Sequence, residues 1–470
     1  MNHTTAIPRA VGVIGLGAMG AGMAQSLRRA GHHVHVHDIR PETAAAFAAE
    51  GGTACATLAD MAAACRIIVS VVVNARQTEA VLFGEGGIAP ALQPGSVFVM
   101  CSTVDPNWSV ALEARLQAQA REAISGKVVP AFQQLRTFFV NEYVPQARTT
   151  LAAEAMPDGK AYYKQQIHEY TTLDLSPDEI HRIGLDEVAR IQKEMNDIIK
   201  QVKFKGSFAE FLTFLRTDPQ FYARTPEELL SRAAWISKRA DGQLGKYMTL
   251  PRARFTIVPV PPDIAPFWTA GRGGMGTYWL NTYNLPSRPL YNLPALTLHE
   301  SSPGHSLQGA LAEEQGAQPD FRRKNYISAY GEGWALYTEK LGKEMGIYET
   351  PYEDFGRLTY EMWRAARLVI DTGLHHKRWS REKAIQYLTD STPNPEGDIS
   401  KAIERYVVYP GQATAYMIGK LKIMELRTRA QKALGTKFEY GRFHDAVLKS
   451  GPVPLTVLEE RIDAWIAQGG

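Results

Sequence analysis

The nonapeptide Thr297-Leu-His-Glu-Ser-Ser-Pro-Gly-His305 holds the residues of this chain best suited to chemistry. A His-Glu pair followed by a second His is how many hydrolytic zinc sites are built: neutral imidazoles hold the ion and the carboxylate activates a water. His299 and His305 are therefore candidate metal ligands, and Glu300 is the candidate general base. In the familiar HExxH spacing the histidines sit four apart and share a helical face, whereas six apart they would diverge by about 120° on an unbroken helix. Pro303-Gly304 falls inside the interval and predicts a bend that restores convergence, because Pro removes an amide donor and Gly tolerates unusual dihedrals. A plain helix end beside two unrelated histidines is the alternative.

A catalytic zinc takes three protein ligands and keeps one position open, so a third donor is required. Glu332, in Tyr330-Gly-Glu-Gly-Trp-Ala-Leu-Tyr-Thr-Glu339, is the candidate. Glu332 and Glu339 stand two helical turns apart on nearly one face, so that one can ligate while the other orients a ligand. A solvated acidic face is the simpler alternative, but Trp334, Leu336 and Tyr337 predict a helix buried on more than one side. Arg367-Leu-Val-Ile-Asp371-Thr-Gly-Leu-His375 sets a cation, an anion and an imidazole along one stripe. An Asp-oriented His375 beside a metal would donate to a developing oxyanion; by itself the ladder also fits a surface salt bridge. In Arg405-Tyr-Val-Val-Tyr-Pro-Gly-Gln-Ala-Thr-Ala-Tyr416, Tyr416 is the candidate donor to a tetrahedral intermediate and Arg405 the candidate holder of a substrate carboxylate. Tyr406 and Tyr409 are equally suited to packing.

With these four segments in view, the chain from about residue 122 to 470 resembles DUF885, a bacterial family that looks like zinc metallopeptidases. Its motifs HExxPGHxxQ, EGWAxYxE, DxGLH and RYxxxPGQxxxYxxG recur in order, beginning at His299, Glu332, Asp371 and Arg405. The resemblance implies a mostly helical, gluzincin-like fold, bound zinc, and peptidase chemistry of carboxypeptidase or oligopeptidase type on a peptide substrate. Members of that family carry a further helical region ahead of the point where this chain joins the pattern.

The elements that must position these residues are mainly helices. Residues 124–147 carry an amphipathic pattern with Phe132, Phe138, Phe139 and Tyr143, expected to lie in the core. Ser176-Pro-Asp-Glu179 is a capping box starting a helix to about Lys200, and Thr225-Pro-Glu-Glu starts another to about Ala240. Residues 254–260 and 276–283 alternate like strands. The second is a candidate edge for aligning a substrate backbone beside the metal helix, with a structural hairpin as the equal alternative. Gly271-Arg-Gly-Gly-Met-Gly276 lacks the Lys-Ser/Thr ending of a phosphate loop and reads as a flexible turn. His168 and His181 read as ordinary polar residues.

The first 120 residues have another character. All three cysteines (Cys55, Cys65, Cys101) precede position 102, whereas the first lysine is Lys127 and the first tyrosine Tyr143. That break predicts two modules, 1–120 and 121–470, with the thiols as small core residues. Val11-Gly-Val-Ile-Gly15-Leu-Gly17-Ala-Met19-Gly20 reads as a strand, a glycine-rich turn and a helix N-terminus suited to a pyrophosphate. Gly15, Gly17, Met19 and Gly20 are thus candidate cofactor contacts. A second strand, 33–37, ends at Asp38, placed for ribose hydroxyls and favouring NAD over NADP. Alternation sets His33, His35 and His37 on one strand face with no matched ligands nearby, a covered or solvated face rather than a metal site. Two further strands are expected within 66–73 and 96–101. With Ser102-Thr-Val-Asp-Pro106, this stretch resembles the N-terminal domain of β-hydroxyacid dehydrogenases, the 3-hydroxyisobutyrate and L-threonate group. The likeness stops near Glu122: the substrate segment, the catalytic lysine and the last strands are missing. It implies an incomplete Rossmann-like domain that binds at most NAD(P), and an exposed sheet edge.

A net charge of +3 over 470 residues predicts attraction neither to nucleic acid nor to a membrane. No apolar run reaches a membrane span and residues 1–8 lack a signal-peptide pattern, so the expected location is cytoplasmic. The expected fold is an incomplete α/β Rossmann-like domain fused to a mostly α-helical, gluzincin-like metallopeptidase domain with a small β-sheet. Two alternatives stand beside zinc-dependent peptide hydrolysis: an NAD-dependent oxidoreductase of the β-hydroxyacid type, and an inactive fusion keeping zinc as a structural staple.

Overall fold

The computed structural model describes residues 10–102, 104–274, 276–316, 318–323 and 325–470, in two compact units, Met1–Ala147 and Arg148–Gly470. The first unit is a parallel sheet of β1 (Ala10–Ile14), β2 (His33–His37), β3 (Thr53–Ala54), β4 (Ile67–Ser70) and β5 (Val97–Met100), in the order β3-β2-β1-β4-β5. That order is five strands of a doubly wound nucleotide fold. Val11, Val13, Val34 and Val36 fill its core, while His33 is exposed and His35 and His37 are half-buried. At the outer edge of the described sheet, Val97 and Val99 of β5 are 53% and 39% exposed.

Residues 106–146 continue as a helical run with two π-helical turns, and the module boundary expected near residue 120 falls inside it. The expectation of a core role for this run is corrected by the structure: Phe132, Phe138, Phe139 and Tyr143 are all exposed. Helical periodicity marks a face that needs cover, and no described element of the first unit provides it.

The second unit is mainly helical. The helices that build its site are numbered in chain order after α1 (Ala18–Arg29) of the first unit: α2 (Pro177–Gln201), α3 (Leu293–Glu300), α4 (His305–Glu313), α5 (Ser328–Glu344), α6 (Pro351–His375), α7 (Glu396–Val408) and α8 (Ala415–Leu434). The α2 capping box is formed: the Glu179 amide donates to Ser176 Oγ at 3.2 Å, and Ser176 N donates to the Glu179 carboxylate at 2.8 Å. A second sheet holds β6 (Thr256–Pro259), β7 (Gly271–Gly274) and β8 (Thr277–Leu280) in the order β6-β8-β7. The stretch read as a flexible turn is therefore strand β7, and the strand offered as a substrate edge, β8, is the central one. Glycine-rich sequence hid a strand whose partner, not its own propensity, orders it.

Two packing contacts place the site. Gly333 of α5 and Gly419 of α8 meet backbone to backbone, and a Cβ on Gly419 would lie 1.9 Å from the Ala329 carbonyl. Only glycine permits that approach, which brings the Glu332 helix against the Tyr416 helix. Across α2, α6 and α8, buried Glu361 accepts hydrogen bonds from Arg190, Arg357 and Lys420. Among the described residues, no helix is long and apolar enough to cross a membrane.

Candidate functional site

α3 ends at Glu300 and α4 starts at His305, so the expected bend is a full break between two helices. Gly304 folds the chain back onto the end of α3. Its amide donates to the Leu298 carbonyl at 3.0 Å, and a Cβ there would lie 1.9 Å from the His299 carbonyl. The indole N–H of Trp334 donates to the Pro303 carbonyl at 2.8 Å, pinning the turn to α5. The result brings the His299 and His305 rings to 4.8 Å between centroids, at 86° to each other.

Glu332 completes the cluster. Its Oε2 lies 3.5 Å from His299 Nε2 and 3.3 Å from His305 Nε2. About 3.3 Å is the edge of a tetrahedron whose centre lies about 2 Å from each corner, the bond length of zinc to His and carboxylate donors. His299 Nδ1 is 2.7 Å from Glu339 Oε1, the carboxylate-histidine pairing that fixes a ligand's tautomer. Burial disfavours charge on His299, but Glu332 and Glu339 outweigh it and raise the imidazole to about 9. Glu332 is held well below the usual carboxylate range against its own burial by His305 and His299. The donor set and the spacing both suit a divalent cation. Among the described residues this is the one such group of three or more His, Cys, Asp or Glu side chains.

The cluster opens on a cleft of about 1080 Å³. Glu300 lines it, its carboxylate accepting a hydrogen bond from the Gly273 amide, so edge strand β7 runs beside the candidate base. Tyr416 lines the same cleft with 6% exposure, its hydroxyl 3.5 Å from Arg405 Nη2. Arg405 is exposed and also donates to Gln412 Oε1 at 3.0 Å.

His375 is elsewhere, and the oxyanion role expected of it is corrected. It is fully buried away from the cleft, its Nδ1 accepting from the Ala153 amide at 3.1 Å and its Nε2–H donating to the Tyr406 carbonyl at 2.9 Å. Asp371 accepts from the Tyr163 hydroxyl at 2.6 Å and the Gly411 amide at 3.0 Å. The ladder is neither a surface salt bridge nor catalytic: Asp371 and His375 fasten α6 to neighbouring segments, and only Arg367 reaches the cleft. Tyr326 carries no spacing signal in the sequence, yet it also lines the cleft. Tyr326 is 56% exposed as a residue, yet local desolvation and the neighbouring Glu332 carboxylate push its phenol well above the ordinary value, so it stays a donor.

In the first unit, Gly15 adopts φ +87°, and a Cβ on Gly17 would meet nothing within 4 Å, leaving room at the start of α1. Met19 is 63% exposed. Asp38 accepts from the Leu16 amide at 2.6 Å and the Arg40 amide at 2.9 Å. Those two amides and the Arg40 guanidinium outweigh its burial and lower its pKa. It braces the glycine turn, and the Arg40 side chain stands beside it, 3.3 Å away. The turn's open face fits a dinucleotide pyrophosphate.

An α/β nucleotide-type sheet and a helical unit carrying a His-His-Glu cleft thus define a two-part chain. This chain belongs to the DUF885 family, described as bacterial protein of unknown function, whose profile matches residues 41–462. A crystal structure of a protein from Colwellia psychrerythraea, described as a "putative lipoprotein", superposes with a TM-score of 0.73 at 37% identity, covering 76% of this chain and 63% of that one. A second, of a Shewanella oneidensis protein of unknown function, gives a TM-score of 0.58 at 16% identity over 77% of this chain and 68% of that one, showing the shared fold. The N-terminal part is 52% identical over 111 residues to an L-threonate dehydrogenase of Cupriavidus necator, which is 24% of this chain and 37% of that enzyme. The chain therefore spans little more than a third of that dehydrogenase, and it resembles a 2-(hydroxymethyl)glutarate dehydrogenase of Eubacterium barkeri at 40% identity over 32% of its length.

Proposed function

We propose that the helical unit hydrolyses peptide bonds with a zinc ion held by His299, His305 and Glu332. The observation that carries this reading is the convergence of three donor atoms within 4.8 Å of one another, with Glu332 at 3.3 and 3.5 Å from the two imidazoles, beside Glu300 in a large cleft. Bound zinc supplies Lewis acidity, polarising a carbonyl and making water a stronger acid. Glu300, aimed by the Gly273 amide, takes the proton of the attacking water and returns it to the leaving amine. The Tyr416 and Tyr326 phenols donate to the developing oxyanion. Edge strand β7, its Gly273 amide already committed to Glu300, flanks the base where an extended peptide would lie.

The test pairs metal analysis with turnover. Near-stoichiometric zinc is expected in purified protein and lost in His299→Ala. Glu300→Gln is expected to keep the metal while losing about 10² to 10⁴ of peptidase rate. Zinc retained by Glu300→Gln with no peptidase activity in the parent chain would instead favour a structural staple.

A second reading concerns the first unit. Its open glycine turn and its likeness to dehydrogenases support binding of NAD(P). The stretch that resembles the dehydrogenases ends before the catalytic lysine segment, so binding without hydride transfer is the expected behaviour.

A further inference from the structure

The cleft holds a second cluster that the hydrolytic machinery leaves unused. Arg367 is 6% exposed, lines the cleft, and among the described residues has no carboxylate in ion-pair contact. It is wrapped by aromatic rings, its guanidinium carbon 4.3 Å from the Tyr416 centroid, 5.0 Å from Trp363 and 5.6 Å from Tyr406. Among the described residues only its Nε has a hydrogen-bond partner, the Tyr406 oxygen at 2.9 Å. The indole N–H of Trp363 donates to that same oxygen, also at 2.9 Å. Tyr406 thus accepts two hydrogen bonds, and among the described residues its own O–H proton is uncommitted, on a residue that is 2% exposed and lines the cleft. Two free guanidinium nitrogens and one free phenol proton, in an apolar aromatic frame, make a fork for a planar anion. Arg364, 6% exposed and one turn away on α6, adds positive charge, tempered by Glu339 Oε1 at 3.7 Å from its Nη2.

A buried arginine with no carboxylate in contact, and with Glu332 acting on it only from a distance, is costly unless an anion arrives to pair with it. Resting on the peptidase reading, we propose that Arg367 and Tyr406 bind the free C-terminal carboxylate of the peptide, so that the cleft releases C-terminal residues rather than cutting internally. The sequence pointed to Arg405 for this role. Arg405, however, is exposed and its guanidinium is engaged by Gln412 and Tyr416, whereas Arg367 offers the stronger, desolvated site.

The test uses the full chain, zinc-loaded and zinc-stripped, with three small probes: N-acetyl-phenylalanine, its C-terminal amide, and N-acetyl-glutamic acid α-amide, which carries only a side-chain carboxylate. Binding is followed by tryptophan fluorescence or calorimetry. The free acid is expected to bind at least about tenfold more tightly than either amide in both metal states. Arg367→Gln is expected to erase that preference and Tyr406→Phe to reduce it, with Arg367→Lys intermediate and all three variants checked for native circular dichroism. Equal binding of acid and amide, equal binding of the side-chain carboxylate, or a preference that survives Arg367→Gln would each overturn the assignment. Hydrolysis of hippuryl-phenylalanine and its amide separates the two readings. A binding preference intact with neither substrate cleaved sinks the peptidase reading alone, and both cleaved at equal rates sinks the terminal-carboxylate site alone.

Discussion

His375 and His444 show how much a histidine's meaning depends on its neighbours. Both ring nitrogens of His375 are spoken for by backbone groups of residues 153 and 406. His375→Ala is therefore expected to keep its zinc while losing about 1–3 kcal/mol of stability, the cost of orphaned buried backbone groups; metal analysis and a urea melt on one sample check both halves. His444 sits between the Tyr337 hydroxyl and the Tyr247 carbonyl, each at 2.7 Å, and burial pushes its imidazole down to about 4. The folded state then binds fewer protons than the unfolded one between about pH 6.5 and 4, so its contribution is complete above that window and lost as pH falls through it. Urea midpoints should drop on acidification from pH 7 to 5, and a His444→Asn variant, less stable at pH 7, should show a shallower slope. The converging His299, His305 and Glu332 were legible at this scale because HExxPGH and EGWA spell them in adjacent letters. Tyr326 was not, since a single phenol in a loop has no period to betray it.

At the scale of elements, helix starts were readable from Ser176 and Thr225 because a cap and its third residue are local partners. What α6 does is set in part by two other helices, α2 and α8. Glu361, buried at its centre, is held far below the ordinary carboxylate range, against its own desolvation, by Lys420, Arg357 and Arg190. Replacing it with Ala leaves those cations without their shared anion, and a loss of about 3–5 kcal/mol is expected in chemical denaturation. The same substitution loosens the helix that carries Arg364 and Arg367, so weaker binding of the carboxylate probe should accompany it.

For the molecule as a whole, the two proposed ligand chemistries belong to separate units. NADH fluorescence should rise on binding to the intact chain. Gly17→Val, which fills the open space beside α1, should abolish that signal and leave zinc content unchanged. No oxidation of L-threonate or 3-hydroxyisobutyrate is expected in either protein, and a measurable rate would show that a proton donor was overlooked. The exposed aromatic face of residues 124–144 belongs to this scale too. Its periodicity announced a buried helix, but whether a face finds cover depends on which other segments the chain contains.

Much was settled by residues close together in the chain: the strand-turn-helix at Gly15, the His-Glu-Pro-Gly-His break, the second acid on α5, and the two-part division. Periodicity, caps and turn chemistry act over a few residues, and these features need nothing more. Folding alone decided that β7 rather than β8 forms the sheet's edge, that His375 faces backbone instead of substrate, and that Arg367 rather than Arg405 is the buried cation at the cleft. Each of those outcomes turns on partners brought together from distant parts of the chain, and an arginine in an aromatic frame is spelled with the same letter as one in water.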